Sequence, residues 1–173
     1  MSAAADDSSR DFLEQTAAMQ ELLPYLRALV GDAAEITSEN YGGSDPDGSG
    51  SDNERPSIRT VSVQPHNAEA LTFDIICEQW IVVELGQIGG RWELGYEDDD
   101  IARAKRLVEA AVAGRVIETF ALGRSRVTAT FSDGTSETET GYEGCLTSLV
   151  ALPGWTRWGR TTQYEPYRAA TQN

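Results

Sequence analysis

One helical run separates two strand-rich blocks, and that order constrains the fold of this chain more than any other feature. In residues 101–114, IARAKRLVEAAVAG, the apolar positions Ile101, Ala104, Leu107, Val108, Ala111 and Val112 recur at the spacing of one helix face. Asp98, Asp99 and Asp100 precede it, where carboxylates complement the helix dipole, and Gly114 supplies a stop. Oxygen clusters also bind divalent cations, but a place at the start of a helix accounts for the three aspartates without one. No metal site is expected.

The flanking blocks are rich in β-branched and aromatic residues. Before the helix come IRTVSV (58–63), ALTFDIICEQWIVVEL (70–85) and GRWELGY (90–96), with period-two alternation at Leu71, Phe73, Ile75 and at Ile81, Val83, Leu85. Turns are expected at Cys77–Gln79 and Gly86–Gly90. After the helix come RVIETFAL (115–122), SRVTATFSDGTSETETG (125–141) and RTTQYEPY (160–167). Asp133-Gly134 predicts a two-residue hairpin turn, and CLTSLVAL (145–152) a short helix closed by Pro153-Gly154.

A second helix is predicted at the N-terminus, where Phe12, Met19, Leu22, Leu23, Leu26, Leu29 and Val30 share a face. Pro24 lacks the amide hydrogen a helix interior needs, so a kink or a break near Leu23 is expected. The resulting order is helix, strands, helix, strands. It implies an α+β fold, a mostly antiparallel β-sheet with the N-terminal and central helices packed on one face. With 173 residues, the chain matches one domain, residues 1–173, able to bury a core without disulfides or metal.

Residues 37–57, TSENYGGSDPDGSGSDNERPS, break this pattern. They hold almost no aliphatic side chains, and burial there cannot offset the entropy of ordering, which predicts a flexible acidic Gly/Ser-rich loop. The chain carries 28 acidic and 14 basic residues, a formal charge of -14. Twelve of the acids and three of the bases precede residue 58. A negative field repels nucleic-acid phosphates and anionic lipid surfaces and steers a basic protein partner inward. No apolar run is long enough to span a membrane and the N-terminus lacks signal-peptide character, so a cytoplasmic location is expected.

Chemistry-bearing residues are sparse. Cys77 and Cys145 lack paired spacing, which fits reduced thiols and not a zinc or disulfide framework. His66 is the only histidine and lies in Gln64-Pro65-His66-Asn67, expected to be a loop. His66 could pair with either Cys77 or Cys145 if the fold brought them together. A cysteine-dependent enzyme would use Cys145, set between Gly144 and Leu146 at a helix start that lowers a thiol pKa, with His66 as base. The competing account makes Cys145 a small buried apolar residue and His66 a solvated side chain. Glu84 and Glu93, like Glu137 and Glu139, sit on strand faces with no catalytic signature around them, and no glycine-rich phosphate loop occurs. No cofactor is expected.

The segment Pro153-Gly154-Trp155-Thr156-Arg157-Trp158-Gly159-Arg160 combines the residue types enriched at binding hot spots. Trp155 and Trp158 are either an interaction surface or a lid on the core carrying stacked arginines. Residues 120–167, FALGRSRVTATFSDGTSETETGYEGCLTSLVALPGWTRWGRTTQYEPY, resemble the C-terminal part of small uncharacterised actinobacterial proteins. The small, acidic α+β format resembles immunity proteins of bacterial toxin systems. That resemblance implies a tight complex with a cationic toxin domain whose active site the acidic surface blocks.

The expected function is therefore non-catalytic binding of a basic protein, with Glu39, Asp45, Asp47, Asp52, Glu54, Trp155, Arg157 and Trp158 as contact residues. Two alternatives stand beside it: the Cys145–His66 enzyme, and an assembly protein that oligomerises through a sheet edge or the C-terminal aromatics.

Overall fold

A computed structural model describes residues 4–41, 58–144 and 152–168, which form two α-helices and nine strands in two antiparallel sheets. Helix α1, Ala4–Val30, is followed by β1 (Ala34–Tyr41), β2 (Ile58–Pro65), β3 (Phe73–Cys77), β4 (Ile81–Leu85) and β5 (Gly90–Leu94). Then come α2 (Asp98–Val112), β6 (Val116–Ala121), β7 (Arg124–Thr130), β8 (Ser136–Tyr142), a 3-10 turn at Trp155–Arg157 and β9 (Arg160–Gln163). The first sheet is a plain meander, β1-β2-β3-β4-β5; the second runs β8-β7-β6-β9. The α+β class and both helices are as expected, but the strands divide between two sheets instead of forming one.

Register explains the core. Across the first sheet Ser38, Val61, Ile75, Val83 and Trp92 form one row, and Ile36, Val63, Phe73, Leu85 and Gly90 the next. From β2 to β5 these rows are buried, and they face Met19, Leu22, Leu26 and Val30 of α1 and Ile101, Ala104, Leu107, Val108 and Ala111 of α2. Val116, Val127 and Ala129 of the second sheet close the same cluster. Each large apolar side chain buried this way contributes about 1.5–3 kcal/mol.

Helix α1 runs through Pro24 without a break. Pro24 and Gln20, whose carbonyl loses its helical partner, are both on the exposed side of the helix, while the buried stripe of Leu22 and Leu26 continues beneath. At α2 the cap is Glu97, which makes no side-chain cap hydrogen bond; the three aspartates occupy the first turn. They act through the dipole and do not cap the helix.

Two further expectations change. Residues 37–41 belong to β1, paired in register with β2 as far as Tyr41 opposite Ile58. A polar segment can hold a strand when a neighbour supplies the ladder, because strand preference depends on context. The β7–β8 hairpin turns over three residues, Ser132, Asp133 and Gly134. The Phe131 N–H donates to the Thr135 carbonyl at 2.8 Å and the Gly134 N–H to the Phe131 carbonyl at 3.1 Å. Gly134 at φ 84° takes the left-handed position of that loop. The helix expected at 145–152 lies outside the described residues except for Leu152.

The C-terminal segment straps the layers together. The Tyr167 hydroxyl donates to the Leu71 carbonyl at 2.6 Å, its N–H to the Val112 carbonyl at 3.0 Å, and the Glu165 N–H to the Glu69 carbonyl at 3.0 Å. Helices α1 and α2 are tied by the Tyr25 hydroxyl, which donates to Glu109, and by Lys105, 2.6 Å from Glu21.

Candidate interaction surfaces

The side of the first sheet opposite its buried rows collects carboxylates that are far apart in sequence. Glu35, Glu39 and Glu93 are exposed there, Asp74 and Glu84 half-buried, and Val82 between them is buried. Opposite the buried rows, Thr37, Ser62, Asp74, Glu84 and Arg91 form one cross-strand row, and Glu39, Thr60, Ile76, Val82 and Glu93 another; Glu35 pairs with Gln64 at the end. Among the described strand residues, Glu35, Glu39, Asp74, Glu84 and Glu93 thus share this face with a single cation. That cation, Arg91, is already engaged, donating to Glu84 at 2.7 Å and to Glu93 at 3.1 Å. Its hydrogen bond to Glu93, and then Glu84, hold it still more firmly in the charged form. Glu84 and Glu93 were expected on neighbouring strand faces, but the sequence did not bring Glu35, Glu39 and Asp74 to them, since registers across four ladders decide which acids meet.

A second surface lies at one end of the second sheet. β6 and β9 pair Phe120 with Arg160, so Leu122 and Trp158, two residues beyond on each chain, reach the same end; β7 brings Tyr142 there opposite Arg124. Leu122 is 74% exposed, Trp158 55% and Tyr142 44%, high values for large apolar side chains. Guanidinium groups lie over the rings, Arg124 over Tyr142 at 5.4 Å and Arg160 over Phe120 at 5.6 Å, contacts of the cation–π kind.

The two tryptophans therefore part company. Trp155 is buried, with the Arg126 guanidinium 5.5 Å from its ring. Arg126 is exposed and the main core cluster does not include Trp155, so this lid covers the outer side of the second sheet and not the core. Trp158 and Arg157 face solvent. Glu39 is exposed on β1, whereas Asp45, Asp47, Asp52, Glu54 and Cys145 lie outside the described residues.

His66 is exposed just after β2, its N–H donating to the Ala33 carbonyl at 2.9 Å. Cys77 is fully buried and sits opposite Arg59 at the other end of β2. At about 3.3 Å per residue the two are separated by the length of a strand, on the order of 20 Å, so they form no nucleophile–base pair.

Two further features were missed from the sequence. Glu118 is fully buried, its carboxylate accepting from the Tyr164 hydroxyl at 2.6 Å and from the Gln87 N–H at 3.1 and 3.0 Å. A cleft of about 350 Å³ opens between Leu29, Val30 and Ala33, the end of α2 at Val112 and Ala113, and Pro166 to Arg168. At its rim Arg168 donates to Asp32 at 2.8 Å and to the Val30 carbonyl at 3.2 Å. Among the described residues, no helix is long and apolar enough to cross a membrane.

Compared with known proteins, the chain matches no family model, no curated protein and no solved structure.

Proposed function

We propose that this chain is a non-catalytic protein-binding module that neutralises a basic partner, in the manner of an immunity protein or inhibitor, and that the solvent face of the first sheet is where the partner docks. The observation that supports this reading is the segregation of charge: five carboxylates on one sheet face against one arginine that two of them already neutralise. Such a face raises the encounter rate with a cationic protein and discriminates against acidic ones.

The test is direct binding and protection. The purified chain, mixed with a cationic protein encoded beside it, forms a complex that weakens steeply as salt is raised, and co-expression relieves that protein's toxicity. Replacing Glu35, Glu39 and Asp74 together by Lys weakens the complex by about tenfold or more, chiefly through the association rate. No binding and no protection would falsify the proposal.

A second reading, self-assembly, is favoured by one specific observation, the exposed Leu122, Tyr142 and Trp158 at a common end of the second sheet. On that reading sedimentation shows a concentration-dependent oligomer that Trp158→Ser reduces to a monomer. A monomer at every concentration sinks it.

A further inference from the structure

Strand β1 stands at the end of the first sheet, next to β2 alone among the described strands. All eight residues from Ala34 to Tyr41 pair with β2, and among the described residues no backbone hydrogen bond leaves the opposite edge. Thr37, Ser38 and Glu39 are exposed in succession. Ser38 belongs to the core-facing row and is exposed like its two neighbours, so neither face of the strand is covered there.

Natural sheets usually blunt such an edge with proline, lysine, a bulge or a very short strand. β1 contains neither proline nor lysine, and its register with β2 runs one to one without a bulge. The charges it does carry are Glu35 and Glu39, four residues apart on the solvent face. They bear on what can pair here. A second copy of β1 lying antiparallel about Thr37 would put Glu35 of each chain opposite Glu39 of the other, and like charges directly opposite are destabilising. An extended segment with cations at two positions four residues apart would meet both glutamates, and its alternate side chains would fall on half-buried Ile36.

We infer that β1 accepts an extended basic segment of a partner protein as a sixth strand of the first sheet. Main-chain hydrogen bonds supply affinity, and Glu35, Glu39 and Ile36 supply the preference for a basic residue, three intervening residues and a second basic residue, with a β-branched residue between them. This rests on the reading of the first sheet as the face that meets a cationic partner, and it adds the mode of docking.

The probe is a short, fluorescein-labelled peptide of alternating lysine and valine, measured by anisotropy against the whole chain and by hydrogen exchange. Binding slows exchange at the amides of residues 35–41 that face away from β2. The same peptide N-methylated at every second residue binds at least about tenfold more weakly, as does the parent peptide with the Glu35→Lys, Glu39→Lys double variant. Equal binding of the methylated peptide overturns the inference, because charge alone then suffices. Unchanged exchange in β1 overturns it, as does protection of the same amides by self-association without peptide. A cationic partner protein that binds while leaving β1 exchange unchanged removes this inference and leaves the proposed function standing.

Discussion

The Tyr164 hydroxyl donates a 2.6 Å hydrogen bond to the carboxylate of Glu118, a side chain with no solvent exposure. The Gln87 N–H supplies the remaining partner, so one buried acid joins β6, the β4–β5 turn and the residue after β9. An unsatisfied buried acceptor is more damaging than the bond is stabilising. Tyr164→Phe is therefore expected to destabilise the fold by about 1–3 kcal/mol. Glu118→Leu combined with Tyr164→Phe should cost less than the two single changes added together, because the pair acts as a unit. Urea unfolding of the three variants measures this; strict additivity would show that the contact is not coupled.

High pH should destabilise the chain through its tyrosines. Burial holds Tyr167 above its ordinary value; burial and then the bond to Glu118 do the same for Tyr164, and burial and then Glu109 for Tyr25. The folded values are raised, so ionisation is disfavoured in the fold. The stability they contribute is complete below the unfolded value of about 10 and is lost as pH rises through the folded values. The urea midpoint should be flat up to about pH 9.5 and fall above about pH 10, with Tyr167→Phe reducing the slope. A slope that begins below pH 9 contradicts this assignment.

A weaker acid-side effect is expected at Asp133. Thr135 holds its carboxyl below the usual aspartate range, first through its hydroxyl and then through its N–H, with a smaller contribution from Arg106. A lowered folded value gives stability that is present above the unfolded pKa and lost as pH falls through the folded one. Chemical-shift titration of Asp133 should give a midpoint below that of Asp133 in the urea-unfolded chain, and Thr135→Val should raise it.

Two glycines separate steric from conformational cost. Gly141 approaches Gly89 so closely that a Cβ on Gly141 would lie 2.4 Å from the Gly89 Cα, whereas a Cβ on Gly134 meets nothing within 4 Å. Gly141→Ala must push the β4–β5 turn away from β8 and is expected to cost about 1–3 kcal/mol, as overpacking does. Gly134→Ala carries only the left-handed penalty of about 1–2 kcal/mol, and Gly134→Asn less. Thermal unfolding checks both, and the shifts in Gly89 amide resonances should follow Gly141→Ala alone.

Surface ion pairs should matter little for stability. Arg103 donates to both oxygens of Glu137, at 2.9, 3.0 and 2.7 Å, but both side chains are partly in water. Glu137→Gln is expected to cost less than about 1 kcal/mol, and less again in high salt.

The elements were legible where their signal is local. The apolar spacing in 101–112 places α2, and the alternation in Phe73–Ile75 and Ile81–Leu85 places β3 and β4, because a buried face imprints its period on neighbouring residues. β1 was illegible over 37–41, since a polar edge strand owes its conformation to β2. Pro24 misled because the break it predicts is a local expectation, and here Pro24 and Gln20 lie on the exposed side of a helix whose other side is held by the core.

The sequence by itself determined the α+β class, the helix between two strand blocks and the excess of negative charge, all properties of composition and near-neighbour spacing. Tertiary structure alone decided that the strands part into two sheets, that Trp155 is buried on the outer side of the second sheet while Trp158 is exposed, and that Glu118 is sealed away. It also decided that Glu35, Glu39, Asp74, Glu84 and Glu93 share one face. The physical reason is register: a shift of one residue in any ladder moves a strand's side chains to the opposite face, and register is set by the packing of the whole core.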